Sequence, residues 1–261
     1  MNTGIQSISL IVMLLCCLVA LPPLSSVVFA AEGPPEWLQT SLEKLAGESS
    51  QVLLVTASEP SSFTATMYVL EKRGNTWKNV FSPLPALIGG KGFAPPGEKK
   101  EGDHRTPSGV FALKRAFGYA AKITTRLSYR QAGDDDIWVD DVASPDYNHW
   151  ARRSNTGAAS FENMKRQNDR YKYGIVIEYN TDPVIKGAGS AIFIHVRGGE
   201  NMATLGCVAL SEHDIQKVLG WLDPAKRPRV VLGTTSTLVQ QSRGVSEVSA
   251  RYLQDQAGGP R

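Results

Sequence analysis

The sequence has few cysteines, few histidines and no block of charge of one sign, and each shortage argues against a class of protein. Of the three cysteines, Cys16 and Cys17 lie in an apolar N-terminal segment, so Cys207 is the single thiol of the remaining chain. A disulfide framework is therefore excluded there. The 28 basic and 25 acidic side chains give a formal net charge of +3 without a clustered basic stripe, which argues against binding to nucleic acid.

A metal site finds little support in the spacing of the possible ligands. A zinc site built from His149, His195, Cys207 and His213 is conceivable. Zinc sites of the finger type, however, carry pairs of Cys or His ligands a few positions apart, and these four residues form no such pair.

The N-terminus is typical of a secretory signal peptide. Residues 8–20 are almost all apolar, Pro22 and Pro23 follow, and small residues precede an expected cleavage site after Ala30. The segment has no Lys or Arg before its apolar core. An uncleaved anchor is the alternative, but a membrane span needs about 20 apolar residues and the prolines interrupt this one. We therefore predict export to the periplasm or cell wall, with residues 1–30 as the signal peptide and no stable membrane span after their removal.

The chain continues with a short leading segment and then a series of strand patterns. Residues 31–50 combine a Gly/Pro spacer with a helix over 37–46, where apolar side chains recur at helical spacing. A second helix follows Ser211, which fits an N-terminal cap with Asp214 three positions on. Short apolar runs and alternating patterns predict strands at residues 52–56, 63–70, 77–81, 110–113, 137–139, 174–179, 191–196 and 229–232. This balance predicts a single, mainly β domain over residues 51–233 with a few short helices.

Two segments do not fit this strand pattern. Residues 119–173 are polar and aromatic, and they form either an insertion that faces a substrate or an excursion into solvent, of which the pattern favours the second. Residues 234–261 lack sustained apolar periodicity and end in Gly-Gly-Pro-Arg. We expect them to be a flexible C-terminal tail.

The chemistry is concentrated around His195 and Cys207. An apolar strand delivers His195 at its end, and a glycine-containing loop then leads to Gly206 and Cys207. A neutral thiol is a poor nucleophile, and a nearby imidazole can convert it to a thiolate while becoming an imidazolium. The backbone N–H groups of Gly206 and Cys207 are placed to line an oxyanion hole. The pattern indicates a cysteine-nucleophile enzyme; the alternative is a core histidine and a core cysteine that happen to be neighbours.

Two motifs resemble those of a known family. Residues 204–208, Thr-Leu-Gly-Cys-Val, with a histidine at the end of the preceding strand, resemble the active-site segment of the L,D-transpeptidase family (YkuD-type catalytic domain). Residues 102–111 contain Thr-Pro-Ser-Gly-Val-Phe, which is similar to the Thr-Pro-x-Gly-x-Phe segment of that family. The resemblance covers about residues 51–233 and implies an L,D-transpeptidase-like β-sandwich or barrel.

The resemblance assigns roles to these residues. Cys207 would be the nucleophile, His195 the general base, Gly206 an oxyanion donor together with Cys207, and Thr204 a residue that supports the site and the substrate. The substrates would be peptidoglycan stem peptides, which form an acyl-enzyme that passes to an amine acceptor. A carbapenem would acylate the same thiol. No metal and no cofactor are implied.

The chain also departs from the family pattern next to the nucleophile. The best-known members have His directly before Gly-Cys and often Arg two residues after the cysteine, where this chain has Leu205 and Ala209. These changes leave the cysteine chemistry intact and put the choice of acceptor in doubt. Water as acceptor would make the protein an L,D-carboxypeptidase or hydrolase, and loss of activity would leave an inert wall-binding protein. Arg105 and Arg197 are candidates to hold a substrate carboxylate, and we expect Arg197 to compensate for Leu205.

Overall fold

The computed structural model of the chain describes Met1 and residues 36–244. The cleavage site expected after Ala30 and residues 245–261 of the expected tail lie outside the described residues. Among the residues that are described, no helix has the length and apolar character needed to cross a membrane.

Thirteen strands and three α-helices make up the regular structure of the described residues. The helices are α1 Glu36–Leu45, α2 Glu212–Trp221 and α3 at residues 235–244. The strands are β1 Gln51–Thr56, β2 Thr64–Arg73, β3 Thr76–Asn79, β4 Leu84–Leu87, β5 Gly109–Gly118, β6 Ser128–Gln131, β7 Asp136–Val139, β8 Trp150–Arg152, β9 Phe161–Asn163, β10 Tyr173–Ile177, β11 Phe193–Val196, β12 Val208–Leu210 and β13 Arg229–Leu232.

Ten of these strands form one sheet that closes on itself. The strand order is β1-β13-β5-β10-β11-β12-β4-β2, and β2 pairs back onto β1, so eight strands complete a ring. β3 extends the ring from β2, and β6 extends it from β5. Closure removes the free edges that an open sheet would expose. The prediction of a mainly β domain with a few short helices is confirmed.

β1 shows why the core has two parts. Its side chains alternate between the two faces of the sheet, so Leu53 and Val55 belong to the cluster inside the ring while Val52 and Leu54 face outward. The outward pair is also fully buried, because Leu42 of α1 packs in the same outer cluster. A strand covered on both faces has a continuous apolar run instead of an alternating one, as residues 52–56 do.

The C-terminal end of the described chain corrects one expectation. The flexible tail was expected to begin at Thr234, but residues 235–244 form α3. Leu238 of this helix is fully buried and packs in the outer cluster with Leu42 of α1. The helix lacks a long apolar stripe because one leucine carries much of this contact, which is why periodicity did not reveal it.

The polar and aromatic segment at 119–173 is ordered and contains its own small sheet. β7 is central in this sheet and pairs antiparallel with β8 and β9. Trp138 of β7 and Met164 are buried in a third cluster that also contains Phe193 and Cys207. The segment therefore packs against the residues that carry the expected chemistry, and the interpretation as an excursion into solvent is wrong.

Candidate active site

Two neighbouring strands bring His195 and Cys207 to the same side of the barrel sheet. β11 and β12 pair in parallel, with His195 opposite Ala209. Cys207 precedes Ala209 by two positions, and side chains two apart on a strand point to the same face. His195, Cys207 and Ala209 accordingly line one cavity of about 270 Å³. The structure therefore brings the expected base and nucleophile together.

The hydrogen bonding of His195 identifies its free nitrogen. Nδ1 lies 2.8 Å from the carbonyl oxygen of Val196. A carbonyl oxygen only accepts hydrogen bonds, so we assign the proton to Nδ1 and the lone pair to Nε2. His195 is 7% exposed, and this burial lowers its pKa to about 4. The edge of Tyr171 packs against it, with ring centroids 5.3 Å apart.

The Cys207 thiol is also held in its neutral form. It donates to the carbonyl oxygen of Ala191 at 3.2 Å and accepts from the N–H of Phe193 at 3.4 Å. Burial raises the pKa of Cys207 to about 12. Burial therefore favours a neutral imidazole beside a neutral thiol over the thiolate–imidazolium pair that the sequence led us to expect. In such a site, proton transfer accompanies attack on a substrate.

The carbonyl group of Cys207 is fixed by two threonine hydroxyls. Thr204 Oγ1 donates to the Cys207 oxygen at 2.6 Å, and Thr106 Oγ1 approaches the same oxygen at 3.4 Å. Thr106 also accepts from the N–H of Gly89 at 2.9 Å. The two sequence motifs therefore meet at the backbone of Cys207, where Thr204 contacts the carbonyl group.

The N–H of Gly206, expected as an oxyanion donor, is bonded within its own loop. Its N–H donates to Thr204 Oγ1 at 3.1 Å, so this donor is already occupied within the loop. Its φ of 148° is in the range that favours glycine, and a Cβ there would lie 3.0 Å from the carbonyl oxygen of Arg105. Gly206 lets the loop approach the other motif closely, and the resting structure does not offer its N–H to a substrate.

Neither arginine suggested by the sequence lines the cavities beside Cys207. The guanidinium of Arg105 donates to the carbonyl oxygen of Phe93 at 3.0 Å and so ties down its own loop. The guanidinium of Arg197 lies 3.9 Å from Glu200. β11 ends at Val196, and Arg197 is absent from the described walls of both cavities. This placement does not favour the substrate-binding role expected for Arg197.

The charged wall of the first cavity comes instead from the 119–173 segment. Arg166, Arg170 and Tyr171 line it beside His195. Arg166 is paired with Glu162 at 2.7 Å and lies over the ring of Tyr171. Arg170 has no carboxylate partner among the described residues, and Nη2 lies 2.7 Å from Met202 Sδ.

A second cavity of about 210 Å³ is also lined by Cys207. Cys207, Leu205 and Glu162 line both cavities, whereas Lys99, Glu101, His104, Asp140 and Ser190 belong to the second one alone. Leu205 is 71% exposed. Within the described part of the chain, no three His, Cys, Asp or Glu side chains gather as they would around a metal ion.

The sequence did not reveal the cavity-lining residues of the 119–173 segment, because no local motif marks them. The one available signal was the number of aromatic residues in an otherwise polar stretch. Aromatic side chains bury large areas, and here they pack the segment onto the barrel beside Cys207.

The model of the L,D-transpeptidase (YkuD) catalytic domain matches residues 61–235, which contain both motifs and the whole site. The chain belongs to the L,D-transpeptidase family. Members of this family act on peptidoglycan peptides. No curated protein and no solved structure matches this L,D-transpeptidase-family chain.

Proposed function

We propose that this L,D-transpeptidase-family protein is a transpeptidase that joins peptidoglycan stem peptides through an acyl-enzyme on Cys207. The observation that carries the proposal is the shared cavity of the Cys207 thiol, His195 and Arg170, whose guanidinium has no carboxylate partner among the described residues. It combines a nucleophile, a base with a free lone pair, and a cation that suits the terminal carboxylate of a stem peptide.

The first half-reaction forms the thioester. Cys207 Sγ attacks the carbonyl carbon before the terminal D-residue while its proton moves to His195 Nε2. The tetrahedral intermediate then collapses, the C–N bond breaks, and His195 returns the proton to the departing amine. Because the N–H of Gly206 is occupied, we assign oxyanion stabilisation to the N–H of Cys207.

The second half-reaction transfers the acyl group. An acceptor amine attacks the thioester carbon, its proton passes through His195, and the C–S bond breaks to restore the Cys207 thiol. The neutral imidazole suits both half-reactions, because it can accept a proton at the start of each. We also propose that the protein acts in the periplasm or cell wall, with residues 1–30 as a cleaved signal peptide.

The test is incubation of the purified protein with disaccharide tetrapeptides, with the products separated by mass spectrometry. Cross-linked dimers are expected from the wild type and no product from Cys207→Ala. Trimmed monomers alone would make the protein a carboxypeptidase that uses water as acceptor. No conversion and no acyl adduct on Cys207 would identify an inert wall-binding protein.

A further inference from the structure

Glu162 lies where the two cavities meet beside the nucleophile. It is the middle residue of β9, which pairs with β7 so that Glu162 is opposite Trp138. Its side chain is 24% exposed. Among the described charged side chains, Glu162 alone lines both cavities. A group that approaches the Cys207 thioester through either cavity therefore has Glu162 on a wall of that cavity.

The carboxylate is held in place through one of its two oxygens. Oε2 accepts from Arg166 Nη1 at 2.7 Å and from the hydroxyl of Tyr171 at 2.9 Å. No hydrogen bond to Oε1 is present within residues 36–244. One oxygen is thus anchored, while the other remains available to a ligand in the cavities.

We propose that Glu162 selects the acyl acceptor by binding the cationic amine that is to attack the thioester. This inference rests on the proposed function and adds a residue that favours transfer to an amine over hydrolysis by water. An acceptor amine arrives at neutral pH as an ammonium ion, which forms a charge-assisted hydrogen bond with a carboxylate. Water carries no charge and gains no comparable preference from this site.

The proton balance of this step needs no further reactant. The bound ammonium releases one proton to solvent and becomes a nucleophilic amine. As its nitrogen bonds to the thioester carbon, a second proton passes to His195 Nε2. The C–S bond then breaks, and His195 protonates the Cys207 thiolate. The products are an amide, a thiol and one released proton.

Arg166 and Tyr171 are positioning residues in this arrangement. Tyr171 contacts both Glu162 and His195, because its hydroxyl donates to the Glu162 carboxylate while its ring packs against the His195 imidazole. Arg166 compensates part of the charge of Glu162 and keeps the carboxylate in one orientation. The acceptor contact is therefore built on the same side chains that support the general base.

The experiment measures how the acyl-enzyme partitions between an amine and water. Wild type, Glu162→Gln, Glu162→Asp and Glu178→Gln are each given a stem tetrapeptide donor and an amine-bearing peptide acceptor. Glu178 is the matched control, because it forms a similar ion pair with Arg115 at 2.7 Å and lines neither cavity. Intact-protein mass spectrometry follows acylation of Cys207, and product analysis gives the ratio of transferred to hydrolysed donor.

Glu162→Gln is expected to lower this ratio by roughly tenfold or more, the effect of losing one hydrogen bond to a charged group. The loss in transfer should exceed any loss in acylation. Glu162→Asp keeps the charge and should recover part of the ratio, and Glu178→Gln should match wild type. Acetylation of the acceptor amine should abolish transfer in every variant.

Two results in the variants would overturn the inference while the wild type still transfers the acyl group. An unchanged ratio in Glu162→Gln would mean that the carboxylate only holds Arg166 and Tyr171. An equal fall in acylation and transfer, not relieved in Glu162→Asp, would indicate a purely structural role. A wild type that only hydrolyses, or that does not acylate Cys207, would instead refute the proposed transpeptidase function and the inference with it, so the two failures are distinguishable.

Discussion

The hydroxyl oxygen of Thr106 and the carbonyl oxygen of Cys207 lie 3.4 Å apart although 101 positions separate the two residues in sequence. Thr106 is fully buried and also accepts from the N–H of Gly89. Together with Thr204, it fixes the peptide group that follows the reactive thiol. The contact between the Thr-Pro motif and Cys207 is therefore made through the Cys207 backbone carbonyl.

Thr106→Val tests this connection with a side chain of similar shape. The substitution leaves the buried N–H of Gly89 without an acceptor, which costs about 1–3 kcal/mol. We expect a lower melting temperature and slower acylation of Cys207 by a stem peptide or a carbapenem. Thr76→Val is the control, because Thr76 is exposed and bonds only to Arg73. Unchanged stability and acylation in Thr106→Val would show that the contact positions nothing.

The neutral resting pair predicts the reactivity of the thiol. Because burial raises the pKa of Cys207 to about 12, the thiol keeps its proton at neutral pH and reacts slowly with iodoacetamide. The alkylation rate should rise into the alkaline range without a plateau at mildly acidic pH, and His195→Ala should give a similar profile below pH 7. Intact-protein mass spectrometry at a series of pH values measures these rates. A plateau in the alkylation rate at mildly acidic pH that is abolished in His195→Ala would instead support the thiolate–imidazolium pair expected from the sequence.

His195 also links folding stability to pH. Its pKa is about 4 in the folded protein and 6.5 as the unperturbed value, so the unfolded chain takes up the proton more readily. The neutral ring makes its full contribution to the free energy of unfolding above pH 6.5. This contribution is lost as the pH falls from 6.5 through 4. At about 1.4 kcal/mol per unit of pKa difference, the loss is roughly 3 kcal/mol. Urea unfolding of wild type and His195→Gln from pH 4 to 7 should show a steeper decline for wild type. Parallel curves would contradict the low pKa.

The sequence was sufficient to predict that His195 and Cys207 come together, because their proximity depends on local order. A strand, a loop and a second strand place His195 beside Cys207 through the parallel register of β11 and β12. The expected boundaries of β13 agree fully with the structure, since its apolar run ends at turn residues on both sides. β12 was missed, because its three residues lie directly between the Cys207 loop and the helix cap at Ser211.

The cavity walls could not be found in the same way. Glu162 and Arg170 reach Cys207 only because β7, β8 and β9 fold over the barrel. This placement depends on the packing of Trp138 and Met164 against Phe193. For Arg197, closeness in sequence wrongly suggested a place in the cavity. Arg197 is two residues from His195, but it follows the end of β11 and extends toward Glu200.

The different positions of Arg170 and Arg197 predict different effects on binding of the donor peptide. Arg170 lines the catalytic cavity without a carboxylate partner in the described structure, whereas Arg197 lines neither cavity. If Arg170 holds the terminal carboxylate of the donor peptide, Arg170→Ala should raise KM by roughly tenfold or more, as expected for loss of a charged hydrogen bond. The maximal rate should change less, because this contact is made in the bound substrate as well as in the transition state.

Arg197→Ala is the matched control, since it removes the same charge from a residue that lines neither cavity. Steady-state kinetics on a tetrapeptide donor should give values near wild type for this variant. A donor amidated at its terminal carboxylate should then bind wild type as weakly as it binds Arg170→Ala, because the partner of the guanidinium is missing in both cases. A strong effect of Arg197→Ala with none from Arg170→Ala would indicate that Arg197, as the sequence suggested, binds the terminal carboxylate. It would also require the 198–204 loop to move when substrate binds.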